Sequence, residues 1–112
     1  MKEHIYPLYE VPFEMINNGE KTIEYRLNDE KRQELRIGDI IVFNKINSEE
    51  SIRVIVLDLK YFPDLFSMYS ATFENYLKDY YNNVQEVVND TPYYTDEEVK
   101  KYGCVAIYFK KI

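Results

Sequence analysis

Gly19-Glu20-Lys21-Thr22-Ile23-Glu24-Tyr25-Arg26 places two cations and an anion within six residues, on a segment whose Ile23, Tyr25 and Leu27 alternate as in a strand. Extended backbone sends successive side chains to opposite faces. Ile23, Tyr25 and Leu27 are therefore expected against a core, while Thr22, Glu24 and Arg26 share the other face. Lys21 joins them from a turn loosened by Gly19, where strict alternation does not hold. On that face Arg26 would hold Glu24 through a bidentate contact and leave the Lys21 ammonium free for a phosphate or a carbonyl oxygen. The Glu24 carboxylate would accept from an exocyclic amine such as that of cytosine. The plainer alternative is a solvated strand face with a surface ion pair worth well under ~1 kcal/mol.

Working outward, residues 5–9 read as a first strand. A short helix follows, with Pro12 in its first turn, Phe13 and Ile16 on one face, and Asn18-Gly19 at its end. After the motif strand over 21–27, Asn28-Asp29 has the chemistry of a turn or helix cap, and Lys31 and Arg32 are carried outward on one irregular helical turn. The β-branched runs over 39–46 and 51–61, separated by Asn47-Ser48-Glu49-Glu50, predict a hairpin with a longer than minimal loop. Beyond Phe62-Pro63 the spacing predicts helices over 64–69 and 73–81, continued by 84–88. Thr95 and Glu98 form a capping pattern for a helix stopping at Gly103, and residues from 105 onward alternate as a last strand.

The run Pro12-Phe13-Glu14-Met15-Ile16, then Gly19-x-Lys21-x-x-Glu24-x-Arg26, Asn28-Asp29-Glu30-Lys31-Arg32 and Ile37-Gly38-Asp39-Ile40-Ile41-Val42-Phe43 resembles the ASCH domain family. Tyr93-Tyr94-Thr95-Asp96-Glu97-Glu98 and Lys101-Tyr102-Gly103-Cys104-Val105-Ala106-Ile107 are similar to that family's closing helix and last strand. The resemblance covers nearly the whole chain. It implies an α+β fold, a small PUA-like β-barrel with flanking helices, formed by residues 1–112 as a single ASCH domain. It also implies a cleft lined by the GxKxxExR segment and a general expectation of binding RNA or a nucleotide. Some ASCH proteins are amidohydrolases that remove the acetyl group from acetylcytidine. At the position matching Glu24 those members carry a threonine nucleophile; here a glutamate stands in its place and lacks the hydroxyl that this nucleophile needs, a departure that counts against the same activity.

Composition narrows the classes. The chain is 46% apolar and 30% charged, its longest apolar runs fall far short of a membrane span, and no h-region separates Met1-Lys2-Glu3-His4 from Ile5 and Leu8. The expectation is a cytoplasmic protein with no membrane partner. A net charge of −6 argues against indiscriminate polyanion binding. From Tyr61 to Val99 there are eight acids against the single base Lys78, whereas residues 21–60 carry Lys21, Arg26, Lys31, Arg32, Arg36, Lys45, Arg53 and Lys60 among a similar number of acids. Nucleic-acid contact is expected in that second stretch, local rather than track-like. The lone Cys104 reads as core packing, and His4 has no partner at ligand spacing, so neither a metal nor another cofactor is expected.

Tyrosine is abundant, and Tyr69, Tyr76, Tyr80 and Tyr81 read as the rim of a small core. Tyr93 and Tyr94, fixed ahead of a capped helix, are candidates to stack a base. The ligand-binding candidates are thus Lys21, Glu24, Arg26, Arg32, Tyr93 and Tyr94. Whether the chain is an enzyme stays open at this point: Glu24 as general base for water is one alternative, and a protein-interaction module presenting the acidic helical half to a basic partner is another.

Overall fold

A computed structural model describes all residues 1–112. The order of elements is β1 (Glu3–Leu8), α1 (Glu10–Asn17), β2 (Ile23–Leu27), α2 (Glu30–Gln33), β3 (Ile40–Lys45), β4 (Ser51–Phe62), α3 (Leu65–Thr72), α4 (Val84–Asn89), α5 (Asp96–Tyr102) and β5 (Cys104–Lys111). The five strands form one sheet in the order β1-β3-β4-β5-β2, so the fold is α+β and of a kind compatible with a PUA-like barrel. The chain divides into two compact units. The first holds Met1–Glu24, Leu35–Leu59 and Ile107–Ile112; the second holds Tyr25–Glu34 and Lys60–Ala106.

In the first unit β1 and β3 pair in parallel, from Glu3 opposite Ile40 to Leu8 opposite Lys45. A parallel pair needs a crossover, and the chain between them supplies one that includes α1. β1 lies at the sheet edge, which tolerates Pro7 and its missing donor. The hairpin expected between 39 and 61 is present: β3 and β4 are antiparallel, with Ile41 opposite Val54 and Asn44 opposite Ser51. Asn47 in its loop takes a positive φ of 63°, a conformation that asparagine tolerates. Tyr6, Phe13, Ile16, Ile23, Ile41, Phe43, Val54, Val56 and Ile107 are buried in this unit's core, and Phe43 packs on Phe109 with ring centroids 5.7 Å apart.

The second unit is mostly helical. Asp64 caps α3 by accepting from the Ser67 N–H at 2.7 Å, and Asn83 caps α4 by accepting from the Glu86 N–H at 3.0 Å. The continuous helix expected over 73–81 is absent. α3 ends at Thr72, whose hydroxyl donates back to the Met68 carbonyl at 3.0 Å, and Tyr76 departs from helical backbone at φ −158° and ψ −19°. Only a single 3-10 turn, Leu77–Asp79, follows, so the aromatic spacing of that stretch is met by turns rather than by a helix. Thr95 and Glu98 form the full capping box of α5, and Gly103 ends it. At φ +70°, a Cβ on Gly103 would stand 2.9 Å from the Phe62 carbonyl oxygen, so turn geometry and close approach both require glycine there.

Candidate functional site

α1 ends in a tight set of bonds that delivers Lys21 to the strand. Gly19, at φ +86°, donates to the Ile16 carbonyl, Lys21 N–H donates to the Met15 carbonyl at 3.0 Å, and Asn18 and Glu20 bond each other across the turn. Thr22 is exposed, but its carbonyl accepts from Phe109 N–H at 3.1 Å and fixes the start of β2. The result is an ion pair. Lys21 Nζ lies 2.9 Å from Glu24 Oε1, with side-chain exposures of 13% and 6%. The Lys21 ammonium is therefore engaged by Glu24 itself, and the expectation that it would be left free is corrected. The alternation of faces is imperfect too: Glu24 is buried and Tyr25 only half-buried. A carboxylate can occupy a buried strand position when a cation accompanies it, and Lys21 arrives three residues earlier to do so.

The second unit holds Arg26, Arg32, Tyr93 and Tyr94. Arg26 is half-buried on β2. Arg32 sits on α2, where Asp29 Oδ1 accepts from its backbone N–H at 3.1 Å and lies 3.6 Å from its guanidinium. Tyr93 and Tyr94 meet edge to face with centroids 4.8 Å apart, directly ahead of the Thr95 cap, and Tyr93 is 69% exposed. Tyr25 donates to the Thr72 hydroxyl at 2.9 Å and packs on Tyr69 and Tyr76, which accounts for its place away from the first unit's core. Tyr69 is buried, and burial pushes its phenol well above the ordinary range despite a hydrogen bond with Thr91 at 3.0 Å. Tyr69 thus lies inside this unit rather than at a rim, while Tyr80 is half exposed.

Three features escaped the sequence reading. Lys31 shares its surroundings with Arg26 and Arg32, and burial followed by those two charges lowers its ammonium pKa. Three cations within seven positions were the available signal. In the first unit, Lys45 is ringed by Glu50 at 3.1 Å, Glu14 at 3.2 Å and Glu10 at 3.7 Å, and hydrogen bonds to Glu50 and Glu14 raise its pKa. It lines an open cleft of about 470 Å³ with Tyr9, Glu10 and Asn47, to which neither Lys21 nor Glu24 contributes. Also there, buried His4 and Asp39 are bonded at 2.8 Å, with the N–H groups of Lys2 and Arg36 donating to the same carboxylate.

No group of three or more His, Cys, Asp or Glu is placed to hold a metal ion. Cys104 is buried, and burial pushes its thiol up to about 11, far from the thiolate that reactive cysteines present.

The ASCH domain family matches residues 7–112. The chain belongs to the ASCH domain family. Among solved structures, this ASCH domain is similar to the crystal structure of hypothetical protein PH0355, with a TM-score of 0.82 and 35% identity over 100% of both chains. It is also similar to the solution structure of protein PF0455 from Pyrococcus furiosus, with a TM-score of 0.75 and 30% identity over 100% of this chain and 98% of that one. No curated protein matches the sequence. No helix of this ASCH domain is long and apolar enough to cross a membrane.

Proposed function

We propose that this chain, as a single ASCH domain over residues 1–112, binds RNA or a nucleotide-like ligand in the cytoplasm, with Lys21 and Glu24 reading a base edge. The observation that carries this reading is the nearly buried Lys21–Glu24 ion pair at 2.9 Å. Withdrawing two charges from water costs more than such a pair generally returns, so the pair is poorly accounted for by stability alone. Its chemistry suits a base. A carboxylate accepts from an exocyclic amine, and the adjacent ammonium donates to the neighbouring ring nitrogen or carbonyl, the donor-beside-acceptor pattern that cytosine displays. In the second unit, Arg26 and Arg32 are cationic donors and Tyr93 an exposed ring suited to stacking.

The test is a nuclear magnetic resonance titration with a panel of nucleosides and nucleotides. Binding that releases on the order of two or three counterions is expected, lost on Lys21→Ala or Arg26→Ala and retained on Lys110→Ala and Lys111→Ala. Equal losses for all four variants would show nothing beyond general charge attraction and end the reading.

A further inference from the structure

Asn18 is the only asparagine of the chain followed by a glycine. The two residues close α1 at an exposed turn, just ahead of Lys21 and wholly inside the first unit. One neighbour holds both ends of the Asn18 carboxamide. Its Oδ1 accepts from the Glu20 N–H at 3.0 Å, and its Nδ2 donates to Glu20 Oε1 at 2.8 Å. The first contact polarises the carbonyl and stabilises negative charge that develops on its oxygen, so Cγ is the more open to attack. The next backbone nitrogen, that of Gly19, has no side chain to shield it. With φ at +86°, a Cβ on Gly19 would meet nothing within 4 Å, so the approach is open as well.

The end of the helix gates that approach. At the Asn18 ψ of 0° the Gly19 nitrogen stands on the side of the Asn18 nitrogen and away from the side chain, so attack requires the turn to open. The bond that resists is Gly19 N–H to the Ile16 carbonyl. At 3.2 Å it is longer than the bonds from Asn18 N–H to Glu14 at 2.9 Å and from Lys21 N–H to Met15 at 3.0 Å. Exposed helix ends open locally at little cost.

We propose that Asn18 is a site of spontaneous deamidation, and that its modification resets the turn that delivers Lys21 to Glu24. The Gly19 nitrogen gives up its proton to water and forms a bond to Asn18 Cγ. The Cγ–Nδ2 bond breaks, and the departing nitrogen takes a proton from water and leaves as ammonia, which closes a five-membered cyclic imide. Water then adds to one of the two imide carbonyls and opens the ring to aspartate or isoaspartate, with no oxidant or cofactor. Two changes follow. The donor that faced Glu20 becomes a carboxylate, so like charges meet where the 2.8 Å hydrogen bond stood. Isoaspartate also routes the main chain through the former side chain, which displaces the Lys21 N–H from the Met15 carbonyl. Either product loosens the anchorage from which Lys21 reaches Glu24 at 2.9 Å. The modification stands apart from the nucleotide reading; only its effect on ligand binding rests on that reading.

The experiment ages the native protein and Asn18→Gln at mildly alkaline pH and follows both by peptide mass mapping and by backbone-amide nuclear magnetic resonance. Asn18→Gln keeps a carboxamide on the exposed turn but has to close a larger ring. In the native protein, amide loss should be at least about tenfold faster at Asn18 than at any other asparagine, and the matching peptide of Asn18→Gln should stay intact. As the modified form accumulates, the amides of residues 19–24 should shift, and Asn18→Asp, prepared directly, should move the same set. The inference is overturned if Asn18 loses its amide no faster than the other asparagines, or if the modified protein keeps the native amide positions of Lys21 and Glu24. Cytidine added to fresh and aged protein separates this from the function, with binding at least about tenfold weaker expected after ageing. If the fresh protein binds no nucleoside or nucleotide while Asn18 is modified and the amides move, the modification stands and the nucleotide function falls.

Discussion

Lys21 Nζ and Glu24 Oε1 stand 2.9 Å apart at the start of β2, with both side chains nearly withdrawn from water. Removing one charge leaves the other desolvated without its counterion, whereas removing both removes the cost as well. Lys21→Ala is therefore expected to lose about 3 kcal/mol of stability, and Lys21→Met combined with Glu24→Leu to lose far less than the two single changes together. Urea unfolding of the two single variants and the double variant measures the coupling. Additive losses would show that the pair is not coupled.

Asp39 predicts acid sensitivity. Burial by itself would raise its pKa, but the hydrogen bond from His4 and those from the Lys2 and Arg36 N–H groups outweigh burial and hold the carboxyl below its ordinary 3.8. A carboxyl with a depressed folded pKa contributes fully above its unfolded value and loses that contribution as pH falls through the folded one. The native protein should thus lose stability steeply below roughly pH 4. Asp39→Asn should be less stable near neutrality and show a flatter acid limb. Urea midpoints between neutral pH and roughly pH 3 test this, and parallel curves for the two proteins would refute it.

Gly103 predicts a sharp difference among the three glycines. All three have positive φ, but only at Gly103 would an added Cβ meet an atom within 4 Å, the Phe62 carbonyl oxygen at 2.9 Å. Gly19→Ala and Gly38→Ala should each cost about 1 to 2 kcal/mol, the usual price of a left-handed residue, while Gly103→Ala should cost clearly more because backbone has to move. Thermal unfolding of the three variants decides it; equal shifts would mean that the α5–β5 junction yields easily.

Much of the architecture was legible because it is locally determined. The Thr95–Glu98 capping box, the Asp29 cap and the β3–β4 hairpin each follow from residues a few positions apart. Residues 73–81 were not legible, because i, i+3 and i+4 spacing is satisfied equally by successive turns. The helix ends at Thr72, and by Tyr76 the backbone has left helical values, at φ −158° and ψ −19°. For the candidate site, the spacing of Lys21, Glu24 and Arg26 marked the segment, yet strand alternation did not show that Lys21 would engage Glu24. The turn after Gly19 re-aims Lys21, and no period of two describes a turn.

The last prediction separates a binding module from an enzyme. In the ASCH amidohydrolases that the sequence resembles, a threonine hydroxyl at the position of Glu24 attacks the acetyl group of acetylcytidine, and a neighbouring lysine activates it. Here that position is a carboxylate whose charge is taken up by Lys21 at 2.9 Å, so there is neither an attacking hydroxyl nor an uncommitted base beside it. The native protein should leave acetylcytidine unhydrolysed even at high protein concentration. Glu24→Thr releases Lys21 and restores an oxygen, so activity above background is expected from that variant, followed by chromatographic separation of cytidine from its acetylated form. Turnover by the native protein that disappears in Glu24→Gln would reverse the conclusion, since it would make Glu24 the general base for a water and the Lys21–Glu24 pair the reacting centre itself.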